Sequence, residues 1–149
     1  MNYKRVNVEI CKAIVDRDDV RAQELEEGMT LVIPYPHYYG YIMTKEEIAF
    51  AIDKITKLPP ESHIAKLEVI SPENEIKMTD DFRLIPYKRG MSRRFNKDGK
   101  TVWVNNEYLK NLDVYACQFY QAKDKDLDGI IVTEGGAPVM VVLPLVRHD

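Results

Sequence analysis

Apolar and polar positions along the chain predict a strand-rich fold with two short helices, and the pattern is densest between Thr101 and Leu145. Val102 to Val104 is an apolar strand that runs into a short helix, Asn105 to Leu112. Val114 to about Ala122 reads as a long strand. Asp128-Gly129 marks a turn and Ile130 to Val132 a strand. Gly135-Gly136 is a hairpin turn, since both residues tolerate positive φ. Pro138 to Leu143 is a last strand. The order is β-α-β-β-β.

The first half shows the same succession. Met29 to Ile33 is an apolar strand stopped by Pro34 and Pro36. Tyr41 to Lys57 carries the clearest helical signal. Thr44 and Glu47 have capping-box spacing, and Ile48, Ala51, Ile52, Ile55 and Leu58 share one helical face. Pro59-Pro60 ends it. Ile64 to Ile70, Ile76 to Met78 and Phe82 to Tyr87 read as strands, with Thr79 to Asp81 a turn between the last two. GYIMTKEEIAFAI and TVWVNNEYLKNL form a weak internal repeat about 60 residues apart. Two such units would place their strands in outer sheets and both helices on one face. At the amino-terminal end Val6, Val8 and Ile10 alternate with polar residues, which favours a strand. Val6, Ile10, Ala13 and Ile14 fit a helix nearly as well.

The expected class is therefore α+β: two pseudo-repeated β-α-β-β-β units with antiparallel sheets and two short helices. Residues 1–28 form an extension. Residues 29–149 form one domain, with a first half at 29–87, a basic loop at 88–100 and a second half at 101–146. The length of 149 residues and a hydrophobic content of 45% agree with a single domain holding a real core. The net charge of −3 excludes general electrostatic attraction to nucleic acid. Cys11 and Cys117 lie far apart and read as reduced thiols of a cytoplasmic protein. No apolar run approaches the length of a membrane span, and MNYKRVNVEICK lacks the apolar core of a signal peptide. Between Asp16 and Glu27 six acids stand against Arg17 and Arg21. A solvated helix or loop explains them, and an acidic partner-binding face is the functional alternative.

Two segments carry candidate chemistry. YPHYYGY crowds Tyr35, His37, Tyr38, Tyr39 and Tyr41. Such density serves loop packing on a sheet, or stacking on bases or a peptide. A small-ligand site or enzyme built on this cluster is the alternative function. KRGMSRRFNKDGK holds Lys88, Arg89, Arg93, Arg94, Lys97 and Lys100 against Asp98. It reads as an exposed linking loop, or as a phosphate contact with Phe95 able to stack on a base. DKDLDG, Asp124 to Gly129, begins like a calcium loop. Position twelve is Gly135 instead of Glu, so an acidic hairpin tip is the better reading. His37, His63 and His148 are scattered, and no phosphate loop or nucleophile turn is present. Neither a catalytic residue, a cofactor nor a metal is expected.

The strings VWVNNEYLKNL and VMVVLPLV resemble the carboxy-terminal end of the bacterial β sliding clamp, the DNA polymerase III β subunit. Asn105 to Leu109 and Leu143-Pro144-Leu145 match best. The resemblance covers about 45 residues of the second half. It implies a DNA-clamp fold and a non-enzymatic accessory role in DNA metabolism. The implied partners are double-stranded DNA and peptide segments of replication or repair proteins, with a homo-oligomer compatible and no membrane. By this likeness Val142, Leu143, Pro144, Leu145 and Val146 match the apolar cleft that binds partner peptides. The chain departs from the family in having room for one such domain rather than three. Its predicted helices also balance Lys45, Lys54, Lys57 and Lys110 against Glu46, Glu47, Asp53 and Glu107, which puts encirclement of DNA in doubt.

Overall fold

The computed structural model describes residues 1–59, 66–86, 88, 90–123, 125 and 128–146, with only the backbone at position 27. The amino-terminal segment is a helix, α1 (Tyr3–Val15), and not the expected strand. Burial settles the ambiguity: Val6 and Ile10, four apart, are fully enclosed, while Val8 is 63% exposed. Asn2 caps the helix, its side-chain oxygen accepting from the Arg5 amide at 3.1 Å.

Ten strands follow: β1 (Arg21–Glu24), β2 (Met29–Ile33), β3 (Tyr39–Thr44), β4 (Thr56–Lys57), β5 (Glu75–Leu84), β6 (Met91–Lys97), β7 (Lys100–Asn105), β8 (Cys117–Tyr120), β9 (Ile130–Glu134) and β10 (Ala137–Val142). They form one sheet in the order β4-β1-β2-β3-β10-β9-β8-β5-β6-β7. Every pairing is antiparallel except β1 with β4. The class is mixed α+β, with α1 and single turns of 3-10 helix around a long sheet.

Neither helix expected within the repeat forms. The Thr44–Glu47 capping box is made, with the Thr44 amide donating to Glu47 Oε1 at 2.8 Å, but only the turn Lys45–Glu47 follows it. Asn7 of α1 explains the stop. Its side-chain amide donates to Glu47 O at 2.9 Å, and its oxygen accepts from the Ala49 amide at 2.7 Å. Those are backbone groups that continued helical turns would have used. Phe50 and Ile55 then reach the core from either side of a second 3-10 turn, Ile52–Lys54. In the second half, Asn105 caps a single turn, Asn106–Leu109, through a 3.0 Å bond from the Glu107 amide.

The expected turn at Thr79 to Asp81 is a bulge inside β5. Met78 faces Phe95 and Phe82 faces Arg93, so Thr79, Asp80 and Asp81 together oppose Arg94. The expected basic loop is strand β6 followed by a tight turn. Asp98 and Gly99 have φ of 46° and 78° and connect Lys97 directly to Lys100. This Asp-Gly pair is a hairpin signal in its own right. Gly135 and Gly136, at φ of 59° and 82°, turn β9 into β10 as their spacing suggested. Leu67–Val69 is a 3-10 turn rather than part of a strand. Ile64 and Ala65 of that reading, with His63, Tyr87, Arg89, Asp124, Asp126 and His148, lie outside the described residues.

The central strands are apolar on both faces. Val32, Tyr41, Met43, Val132, Met140 and Val142 pack with Val6 and Ile10 of α1 in a first core. Leu31, Ile33, Ile42, Ile131 and Val141 face a second, smaller core beneath Val69. The sheet curls so that β6 and β7 return to the first core. There the Phe95 and Phe119 rings meet edge to face, 4.8 Å apart. Past β10 the chain reaches the far edge of β7, where the Leu145 amide donates to Trp103 O at 2.8 Å.

Candidate functional site

Chain reversal between β2 and β3 splits the aromatic segment into two groups, Tyr35 with His37, and Tyr38, Tyr39 and Tyr41 gathered around Tyr108. The turn Pro34 to His37 closes with the His37 amide on Pro34 O at 2.8 Å, and His37 adopts φ of 74°. Tyr35 stays exposed, edge-on to the His37 ring. His37 Nε2 lies 2.6 Å from Asp19 O, and the same Asp19 holds the Arg21 guanidinium at 2.8 Å. Tyr38 is exposed beside Tyr108, with Lys88 Nζ 5.8 Å above its ring.

Tyr39 packs on the same Tyr108 ring, 4.7 Å away, and edge-on to Tyr41 at 5.6 Å, and both Tyr39 and Tyr41 meet α1. Their hydroxyls donate to the Glu9 carboxylate at 2.9 and 3.1 Å. Lys110 Nζ adds a contact to Glu9 at 3.3 Å, and the Asn111 amide donates to the Tyr41 hydroxyl at 3.0 Å. Burial, and then the negative charge of Glu9, hold both phenols above their ordinary pKa. Both remain proton donors to Glu9. The network therefore fastens α1 to β3 and to the turn after β7, with three donors on the one carboxylate. Nothing in the sequence around Glu9, Lys110 and Asn111 distinguished them from solvated positions.

A small apolar hollow opens on the second-core face, where β3 begins and β10 ends. Leu31 and Ile33 of β2, Val141 of β10 and Leu143 line it, and Arg21, His37, Tyr38 and Tyr39 complete the wall. Its volume is ≈ 50 Å³. The space depends on Gly40, whose missing Cβ would stand 2.7 Å from Leu31 Cδ1 and 3.0 Å from Ile33 Cγ1. Of the five carboxy-terminal positions read as peptide-binding, Leu143 lines this hollow. Val142 is enclosed in the first core, and Pro144 and Leu145 are half-buried along β7. Val146 is exposed.

The basic segment does not present a continuous phosphate-binding face. Phe95 is fully buried against Phe119, so its ring is not offered to a base. The Arg93 side chain is 5% exposed and bonds Asp80 Oδ1 at 2.8 Å and Thr79 O at 2.9 Å. Arg94 pairs with Asp81. Lys97 is buried, donating to Ala122 O at 2.5 Å and Gln121 Oε1 at 3.4 Å. The strand alternation of β6 sends Arg93, Phe95 and Lys97 inward together. Lys88 and Lys100 are exposed, and Arg89 lies outside the described residues. The partners missed were Asp80 and Asp81, which meet Arg93 and Arg94 across the hairpin.

The Cys117 thiol is pushed up to about 11 by burial and then by the Glu134 carboxylate. Cys11 and Cys117 are both free thiols. Among the described residues no group of three or more His, Cys, Asp or Glu side chains is placed to hold a metal ion. No described helix is long and apolar enough to cross a membrane. No protein-family model, curated protein or solved structure matches the chain.

Proposed function

We propose that the chain is a non-enzymatic binding module of DNA metabolism, related in kind to a sliding-clamp domain, which takes an aliphatic side chain of a partner peptide into the hollow at Leu143. The observation that carries this reading is the hollow itself. It is apolar, it opens at the end of β10, and it includes the residue that the clamp resemblance assigns to peptide binding. Its volume exceeds the roughly 10–15 Å³ that one water occupies, which suits a short aliphatic group and is too little for a drug-sized ligand. Phosphate contact loses support from the burial of Arg93 and Lys97, and among the described residues Lys88 and Lys100 stay exposed.

Fluorescence anisotropy with labelled peptides tests the reading. A panel of hexapeptides that differ in one Leu, Phe or Asp position is titrated with the protein and with its Leu143→Glu variant. Burying one aliphatic side chain is worth about 1.5–3 kcal/mol, so affinity for Leu-bearing peptides should fall about tenfold to a hundredfold. Circular dichroism of the variant confirms its fold. Equal binding by parent and folded variant, or no preference of the parent for any apolar peptide, overturns the proposal.

A further inference from the structure

The outer half of β5 leaves a backbone edge unpaired among the described residues, and beside it a largely exposed apolar face. β8 pairs with β5 only at Glu75 and Ile76, whereas β6 follows it to Leu84. The Ile85 amide donates to Gly90 O at 3.2 Å, and Arg83 O accepts from the Ser92 hydroxyl at 3.1 Å. By the alternation of an antiparallel ladder, Arg83 directs its backbone groups at β6, while Phe82 and Leu84 direct theirs away from it. Phe82 opposes Arg93 and Leu84 opposes Met91, so these side chains share one face. Tyr115 joins that face through its hydroxyl bond to Asp80 at 3.0 Å. Leu84 is 74% and Tyr115 73% exposed, and Phe82 and Met91 are exposed beside them.

We infer that this edge is the twofold interface of a homodimer, in which β5 of one copy pairs antiparallel with β5 of a second copy, Phe82 opposite Phe82. The backbone selects the centre. Phe82 carries outward amide and carbonyl groups, so two copies exchange both hydrogen bonds across the axis. The register then sets Asp81 opposite the second copy's Arg83, and Arg83 opposite its Asp81. These pairs occupy the non-hydrogen-bonded position, where side chains stand closest. Both residues lie on the face away from Phe82, where Asp81 meets Arg94 and Arg83 lies over Trp103. Leu84 of one copy falls opposite Asp80 of the other, beside Tyr115, so the exposed apolar side chains cover one another. A centre at Leu84 fails on both counts. It would set Pro86, which has no amide, opposite Phe82, and Ile85 opposite Arg83. The Asp-Phe-Arg sequence is thus self-complementary about its middle residue. Such an interface is isologous and closes at two copies without forming a ring.

Sedimentation equilibrium of the full chain, from micromolar to submillimolar concentration, tests this against the chain mass of 17.3 kDa. The parent should reach twice that mass. Asp81→Arg and Arg83→Asp, each alone, face like charges at two symmetric positions and should raise the dissociation constant about tenfold or more. An equimolar mixture of the two variants restores opposite charges at both positions and should re-form a mixed dimer. Leu84→Glu, at an exposed position that the fold tolerates, should also give a monomer. A parent that stays monomeric throughout overturns the inference. So does parental affinity in Leu84→Glu or in both charge variants, or a mixture that stays monomeric while each variant keeps its folded circular-dichroism spectrum.

Discussion

Arg93 and Asp80 meet at 2.8 Å across the β5–β6 hairpin, the guanidinium almost wholly enclosed and the carboxylate open to solvent. The Phe82 ring lies 4.8 Å from the guanidinium carbon and the Tyr115 ring 5.6 Å from it. A cation at this depth is tolerated because two aromatic rings lie beside it and its N–H groups find oxygen. Hydrogen bonds from Arg93 and then Tyr115 hold the Asp80 carboxyl below its ordinary pKa.

Arg93→Glu combined with Arg94→Glu should therefore damage the fold before it reports on DNA. An acid in place of the buried cation faces Asp80 with no partner, a cost of about 3–5 kcal/mol, or on the order of 10 °C in melting temperature for a chain of this size. Differential scanning calorimetry reads it. Lys88→Glu with Lys100→Glu replaces two exposed cations and should lower melting by less than the Arg93 and Arg94 pair. That second pair is the one to use in DNA-retention assays at graded salt.

The tyrosine network should make the fold sensitive to alkali. Tyr39 and Tyr41 ionise later in the folded chain than at the ordinary phenol value of 10.0. Their contribution to stability is whole below that pH and is lost as the pH rises above it. Tyrosinate absorbance should thus appear for these residues together with the loss of far-ultraviolet circular dichroism. Tyr41→Phe removes the hydroxyl that Asn111 and Glu9 share and should cost about 1–3 kcal/mol in urea unfolding. Ionisation of all tyrosines in a chain that stays folded would refute the network.

Asn7→Ala should loosen the segment after β3. The Asn7 side chain makes three bonds, to Tyr3 O at 2.8 Å and to Glu47 O and the Ala49 amide. Its loss should cost about 1–3 kcal/mol. Hydrogen exchange should speed up at Ala49 and its neighbours more than in β9 and β10.

Cys117 should resist alkylation. With its thiol held at about 11, on the order of one molecule in a thousand carries the thiolate at pH 8. Iodoacetamide should modify the exposed Cys11 first, and Cys117 at a comparable rate only after denaturation. Mass spectrometry of tryptic peptides over time distinguishes the two.

The strands were legible where turn chemistry and alternation agreed, as at Gly135-Gly136 between β9 and β10. Helices were misread where a distant side chain decided the outcome. The capping box at Thr44 is real, but Asn7, far away in sequence, takes the backbone groups that a longer helix needs. The same limit applied to the basic segment. Six cations in thirteen residues suggested a solvated loop, and only the pairing of Arg93 and Arg94 with Asp80 and Asp81 shows them as hairpin contacts. Asp98-Gly99 was the available clue to that hairpin. Gly40 left no trace in the sequence pattern, because an empty space is a property of what surrounds it.

The place of β10 between β3 and β9 sets how this chain can reach its native state. Met140 lies opposite Tyr41, so the middle of the sheet joins segments about 100 residues apart, from opposite halves of the chain. Loop closure must be completed before that ladder returns any stability. The hairpin of β2 and β3 waits with one edge unpaired until β10 is in place. Folding should be slow for a chain of this length and cooperative across both halves. Fragments divided near position 90 should not fold separately, yet they should complement one another when mixed, since each holds strands the other lacks.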